Sequence, residues 1–282
     1  MSSRKGRKRP RLKAESKAIL NQRLGFGVFF SVVLAFSVWL IVSGTGKALG
    51  NLDLCDDPMD DALGQSIIIV DASDSWSPFR QQVVRNELLT SVGIHRDVSV
   101  YAVQSGVTEE TTVNPIITVC NPGNWDLYLQ NYKEPLGARP DQLDDRYQTF
   151  SDSIFNAIDA IAAQPSFDNS PIMETLRWAA ENAAENASNY PDNLEIFLLS
   201  DLLQNSSEYS IYGGSPDLSV RKAEELAGEG VLGASGLQDA EVTLYMLLND
   251  YPPGVSRRSL ADFWEAYLRK QGASVPLVDV VS

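Results

Sequence analysis

The stretch Ile67-Ile68-Ile69-Val70-Asp71-Ala72-Ser73-Asp74-Ser75 constrains this chain more than any other. Four consecutive β-branched residues suit a strand buried on both faces, as in the middle of a parallel sheet. That strand runs into Asp71-x-Ser73-x-Ser75, and Pro78 then opens a helical stretch. A carboxylate and two hydroxyls leave a buried strand together, at the carboxyl edge where open α/β sheets keep their ligands. All three offer oxygen, the donor that hard divalent cations take.

The rest of the pattern alternates strands and helices. Apolar spacing predicts a helix over Phe79–Val92, closed by Gly93. Val98–Val103 and Pro115–Cys120 read as strands, the second stopped by Asn121-Pro122-Gly123. Their connection is too short for a crossover helix, so they are expected to form an antiparallel edge pair. Residues 121–150 read as a long surface loop with one short helical piece. Helices are expected over Ser153–Ala163, Pro171–Ala187, Val220–Ala227 and Arg257–Lys270. Strands are expected over Leu194–Ser200, Glu241–Leu248 and Val275–Val280. The alternation predicts a doubly wound, mostly parallel α/β sheet with one antiparallel edge strand. Phe263, Trp264 and Tyr267 fall on the apolar side of their helix and read as core.

Charge divides the chain. Residues 1–23 carry nine Lys/Arg against Glu15 alone, a net +8, which leaves 14 basic and 36 acidic residues in the remainder, a net −22. Such a body repels nucleic acid and anionic lipid. The RKGRKRPR run has the composition of a nucleic-acid arm or nuclear signal, but it leads into LGFGVFFSVVLAFSVWLIV, 19 residues without a charge. That length spans a bilayer core, and Trp39 suits its outer interface. A basic tail over 1–23, a transmembrane helix over 24–43, an acidic linker over 44–65 and a folded domain over 66–282 are the expected organisation. The run is long for a cleaved signal peptide, and no clear A-x-A site comes after it. The cluster Cys55-Asp56-Asp57-Pro58-Met59-Asp60-Asp61 lacks the spacing of an EF-hand loop and reads as solvated linker.

Scarcity excludes much chemistry. With His95 as the single histidine and Cys55 and Cys120 as the only cysteines, a Cys/His zinc site lacks ligands and a Ser-His-Asp triad has one candidate base. His95 comes shortly after Gly93 and reads as an exposed turn residue. Two cysteines on the oxidising side of a membrane are expected to pair.

Two further edges complete a constellation. Ser170 precedes Pro171 in Asn169-Ser170-Pro171-Ile172-Met173-Glu174, where helix capping is its plain reading. Asp201 ends the apolar run Phe197-Leu198-Leu199-Ser200, where it reads equally as a capping carboxylate or as a ligand. Asp74 reads as a bystander. Taken together, Asp71-x-Ser73-x-Ser75, a later hydroxyl and a later strand-ending Asp resemble the von Willebrand factor type A domain and its metal-ion-dependent adhesion site, over roughly residues 66–280. Ser170 stands where that family has Thr, and Leu202 follows Asp201 where the family usually has Gly. The phrases ITVCNPG, NSPIMETL and FLLSDLLQNSSEYSIY are similar to those of membrane-anchored bacterial proteins with such a domain, a likeness that implies no activity.

The resemblance implies Mg²⁺ or Mn²⁺ held by Asp71, Ser73, Ser75, Ser170 and Asp201, and a protein partner whose carboxylate completes the shell. It implies a non-enzymatic, metal-dependent binding module in the inner membrane, with the domain outside. The alternatives are a metal-free scaffold of the same fold and a haloacid-dehalogenase-like phosphatase. The phosphatase needs Asp-x-Asp in the first loop, and Ser73 occupies its second position. The topology has a direct check. A C-terminal alkaline-phosphatase fusion is expected to be active, and activity of a cytoplasmic reporter at that position instead would reverse the assignment.

Overall fold

The computed structural model describes residues 62–71, 73, 78–104, 113–131, 140–164, 168–186, 193–212, 216–228, 232–247 and 251–280. Met1–Leu52 and Asp53–Ser282 are separate units, and every described residue belongs to the second. The expected membrane span at 24–43, most of the linker and Cys55 lie outside the described residues. No described helix is long and apolar enough to cross a membrane.

Six strands form one sheet in the order β3-β2-β1-β4-β5-β6: β1 Gly64–Val70, β2 Arg96–Ala102, β3 Ile117–Cys120, β4 Glu195–Ser200, β5 Glu241–Met246 and β6 Ser274–Val280. All neighbours pair parallel except β2 and β3, whose antiparallel register sets Ser99 against Thr118. The β-branched run of β1 pairs on both sides, with Ile69 opposite Tyr101 and Leu198. Its residues alternate between faces, as the period of two in a strand requires. Ile67 and Ile69 join one apolar layer, Ile68 and Val70 the other. This is why the run has no polar member.

Helices cover both layers: α1 Pro78–Ser91, α2 Trp125–Asn131, α3 Pro140–Ala162, α4 Ile172–Asn186, α5 Val220–Ala227 and α6 Arg257–Lys270. Leu88 of α1 and Phe150, Ile154, Ile158 and Ile161 of α3 pack with Ile68 and Val70. Met173, Leu176, Ala179, Ala180 and Ala183 of α4 pack with Ile67 and Ile69, as does the Leu260-Phe263-Trp264-Tyr267-Leu268 face of α6. The core reading of the three aromatic residues on α6 therefore holds; each is fully buried.

Two expectations are corrected. Residues 140–150 are helix, not loop: α3 starts at Pro140, about three and a half turns before Ser153. Its early turns are mostly polar, but Leu143 and Phe150 are buried and continue the stripe that Ile154 and Ile158 carry on. Pro140 fits the first helical position, where its missing N–H costs nothing. His95 is buried, with 4% of its surface exposed. It sits in the turn at φ 55°. The Asn121 segment bonds to that turn: the His95 N–H donates to the Asn121 carbonyl at 2.7 Å, and Asn121 Nδ2 donates to the Gly93 carbonyl at 2.9 Å. Burial here comes from a segment 26 positions away, which local sequence does not report.

Cys120 is disulfide-bonded. Cys55, its expected partner, lies outside the described residues. Cys120 pairs in register with Asp97, at the amino edge of the parallel strands.

That same edge is fastened by Arg96. Its Nε donates to Ser66 Oγ at 2.9 Å and lies 3.1 Å from Glu195 Oε2, and its Nη2 donates to the carbonyls of Gln65, at 2.7 Å, and Asn193. Ser66 Oγ donates in turn to Glu195 Oε2 at 2.8 Å. A Cβ at Gly64 would lie 2.5 Å from Nη1 of Arg96, so glycine gives the guanidinium its room. Removing the cation would take a donor from the Gln65 and Asn193 carbonyls and leave Glu195 with the Ser66 hydroxyl. Arg96→Ala is expected to lower unfolding stability by about 1.5–3 kcal/mol in urea titration. A loss below about 1 kcal/mol, the worth of an exposed pair, would contradict this.

Candidate functional site

The carboxyl ends of β1 and β4 lie side by side, and both strands deliver an acid there. The Asp71 N–H still donates to the Leu199 carbonyl at 2.9 Å, so the ladder fixes the residue up to its side chain. Asp71 is 2% exposed and Asp201 5%. A carboxylate so enclosed needs hydrogen-bond donors, because burial without them penalises the charge heavily.

Donors reach Asp71 from all three loops. Oδ1 accepts the Ser73 N–H at 2.9 Å, closing an Asx turn. Oδ2 accepts the Ser170 hydroxyl at 2.8 Å and the Ser200 hydroxyl at 2.8 Å. Ser170 and Ser200 are themselves buried. The three loops named by the sequence therefore do converge. Asp71, Ser73 and Ser170 are linked directly, and Asp201 adjoins them through Ser200. Ser75 and Asp74 lie outside the described residues.

Ser170 is held by backbone as well as by its hydroxyl. Its N–H and carbonyl exchange bonds with Asn205 at 2.8 Å each, so the loop before α4 is tied to the loop after β4. The capping role expected of Ser170 falls partly to Gln204. Its Oε1 accepts the Met173 N–H in the first turn of α4 at 2.9 Å, while its Nε2 donates to the buried Glu174 carboxylate at 2.8 Å.

Asp201 Oδ1 accepts the Leu203 N–H at 2.8 Å, which supplies the loop-capping half of its expected reading. Ser200 Oγ lies 2.8 Å from Asp71 and 3.5 Å from Asp201. A hydroxyl has one proton, and the distances assign it to Asp71. Ser200 also accepts the Leu202 N–H at 2.8 Å. Sequence reasoning misses Ser200, whose role depends on the neighbouring strand that brings Asp71 to it.

Leu202 stands at φ 62°, in the left-handed region, and is fully buried. That conformation costs a residue with a Cβ roughly 1–2 kcal/mol. The fold holds it there from both sides. Leu202 N–H is bonded to Ser200, and its carbonyl accepts the Trp264 indole N–H at 2.8 Å. The departure from the glycine of the resembling family is thus a leucine in a backbone state that suits glycine.

Every donor atom in this set is oxygen, and the set mixes two carboxylates with hydroxyls. Among the described residues no group of three or more His, Cys, Asp or Glu gathers. No protein-family model matches the chain, and no characterised protein matches it in sequence.

Trp264→Phe keeps most of the ring packing and removes the indole donor. It is expected to destabilise the domain by about 1–3 kcal/mol, the penalty for an orphaned buried carbonyl. Chemical denaturation measures this, and an unchanged midpoint and slope would show that the indole bond does not hold Leu202.

Proposed function

We propose that the chain is a membrane-anchored, non-enzymatic binding module of the von Willebrand A type, which takes a protein partner through Mg²⁺ or Mn²⁺. The observation that carries this reading is the double donation to Asp71 Oδ2 by Ser170 and Ser200. A hydroxyl whose proton is committed to a carboxylate offers only lone pairs to anything else. Ser170 is thereby prepared as a neutral oxygen ligand. Asp71 and Asp201 supply negative charge close by, Ser73 a further hydroxyl, and Ser75 belongs to the set by sequence.

The donor chemistry fits a hard cation, which prefers oxygen and keeps several waters. Once bound, the ion supplies an electrophilic position that accepts a carboxylate from a partner. The protein's own part is to keep three loops in register through Asp71, to hold the hydroxyl protons away from the ion, and to limit direct anionic ligands. The sheet order, with its antiparallel β3 at one edge, supports the same family reading. The basic tail and apolar run at 1–43 support an anchor in the inner membrane with the domain outside. The first-loop Ser73, where a phosphatase of the haloacid-dehalogenase type needs its acid/base Asp, argues against catalysis.

A metal-free scaffold is the second reading. It is favoured by the completeness of the Asp71 shell, in which three donors already satisfy a carboxylate only 2% exposed.

Metal titration separates them. Binding stabilises the native state by RT ln(1 + [L]/Kd), about 2.7 kcal/mol at a hundredfold excess over Kd. Thermal melts of the detergent-solubilised chain are expected to rise with millimolar Mn²⁺, and Asp71→Ala is expected to abolish the rise. Equal shifts in both proteins, or none in either, would leave the scaffold reading in its place.

A further inference from the structure

The antiparallel return of β3 shapes a second region, distant in kind from the Asp71 site. A parallel partner for β2 would bring a crossover helix over the sheet; an antiparallel one needs none. The face of β2 and β3 beside α4 is accordingly polar where the neighbouring face of β1 and β4 is apolar. Asp97, Ser99 and Tyr101 alternate along β2, and Thr118 stands opposite Ser99. With α4 as a wall, these residues line a cleft of about 410 Å³. That volume falls in the range of small-molecule sites, about 300–1,000 Å³.

The lining excludes some ligands. Its described lining contains hydroxyls, amides and carboxylates but no Lys, Arg or His, a donor set that favours a neutral ligand over an anion. It is equally unlike an apolar pocket. Hydroxyls, amides and carboxylates alternate around it, giving donors and acceptors at short range. Several are already held in place. The Ser99 and Thr118 hydroxyls are 2.8 Å apart, Asn182 Nδ2 donates to the Val113 carbonyl at 3.0 Å, and Asn182 also bonds to Tyr101. Burial raises the Tyr101 phenol above its ordinary value, against a smaller opposing effect of Asn182. Pro115 adds a half-buried apolar residue to the same cleft, while Ile67, 2% exposed, and Ala183 belong to the core beneath it.

We propose that this cleft binds a neutral saccharide. A pyranose presents what the lining complements: hydroxyls that both donate and accept around its rim, and apolar C–H faces. The Ser99–Thr118 pair and the carboxylates of Asp97 and Glu185 meet the hydroxyls, and Pro115 meets a C–H face. Recognition here does not pass through Asp71, so it is independent of the metal reading.

The test is an array of immobilised neutral oligosaccharides of glucose, N-acetylglucosamine and mannose, probed with the detergent-solubilised full chain. Binding to at least one is expected, unchanged by EDTA. Calorimetric titration with that sugar should show at least a tenfold loss of affinity in Ser99→Val/Thr118→Val, a change that keeps strand-favouring residues in place. Glu185→Ala, on an exposed helical position, should weaken binding as well and provides a second variant should the first fail to fold. Absence of binding across the array would overturn the proposal, as would full affinity in both variants. Spermidine serves as the cationic probe. If it displaces the sugar, or binds alone and is lost in Glu185→Gln, the cleft is a cation site and the proposal fails.

Discussion

A carboxylate at the end of a central strand has to be solvated by the protein when water cannot reach it. Asp71 meets that demand with a backbone N–H from its own loop and hydroxyls from two others, and those donors tie together segments about 100 and 130 positions apart. Much else depends on it. Ser200 can serve Asp71 only because the last residue of β4 sits beside the end of β1, which the register sets. Ser170 reaches it because Asn205 clamps the loop before α4. Leu202 is then pressed into a left-handed turn, and Trp264 of α6 holds its carbonyl. The local strain is supported by the surrounding hydrogen bonds, a pattern common where a loop is shaped for a task.

The two edges of the sheet do different work. At the amino edge, Arg96 gathers Ser66, Glu195 and two carbonyls, and Cys120 carries a disulfide. The chain enters β1 at this edge too, at Gly64. The carboxyl edge carries Asp71, Ser170, Ser200 and Asp201. Parallel strands enforce this division, since all start on one side and end on the other.

Most of the architecture was legible because its signals are local. The β-branched run of β1, the apolar run of β4 and the amphipathic α6 declare themselves by period alone, and α6 matches its expected bounds at both ends. The antiparallel β3 was legible from the length of one connection. What was hidden depends on distant partners. The first turns of α3 are polar enough to pass for loop, and only contact with the sheet shows that Leu143 and Phe150 continue its stripe. His95 gave no sign that the Asn121 segment would bury it. At the site, Asp71 and Asp201 stand out as acids ending apolar strands, while Ser170, a plain helix cap by itself, joins them only through the resemblance of the whole pattern. Ser200 does not stand out, since a serine inside an apolar strand has no signature until a neighbouring strand brings a carboxylate to it.

The central claim is that the hydroxyl-bonded carboxylate of Asp71 organises a cation site. Anomalous diffraction at the manganese edge, from crystals grown with MnCl₂, addresses it most directly. The account predicts a single strong peak among Asp71, Ser73 and Ser170, with oxygen neighbours at about 2.1 Å, as small hard divalent cations require. Clear density for the three loops with no anomalous peak between them, or a peak only elsewhere on the acidic surface, would contradict it.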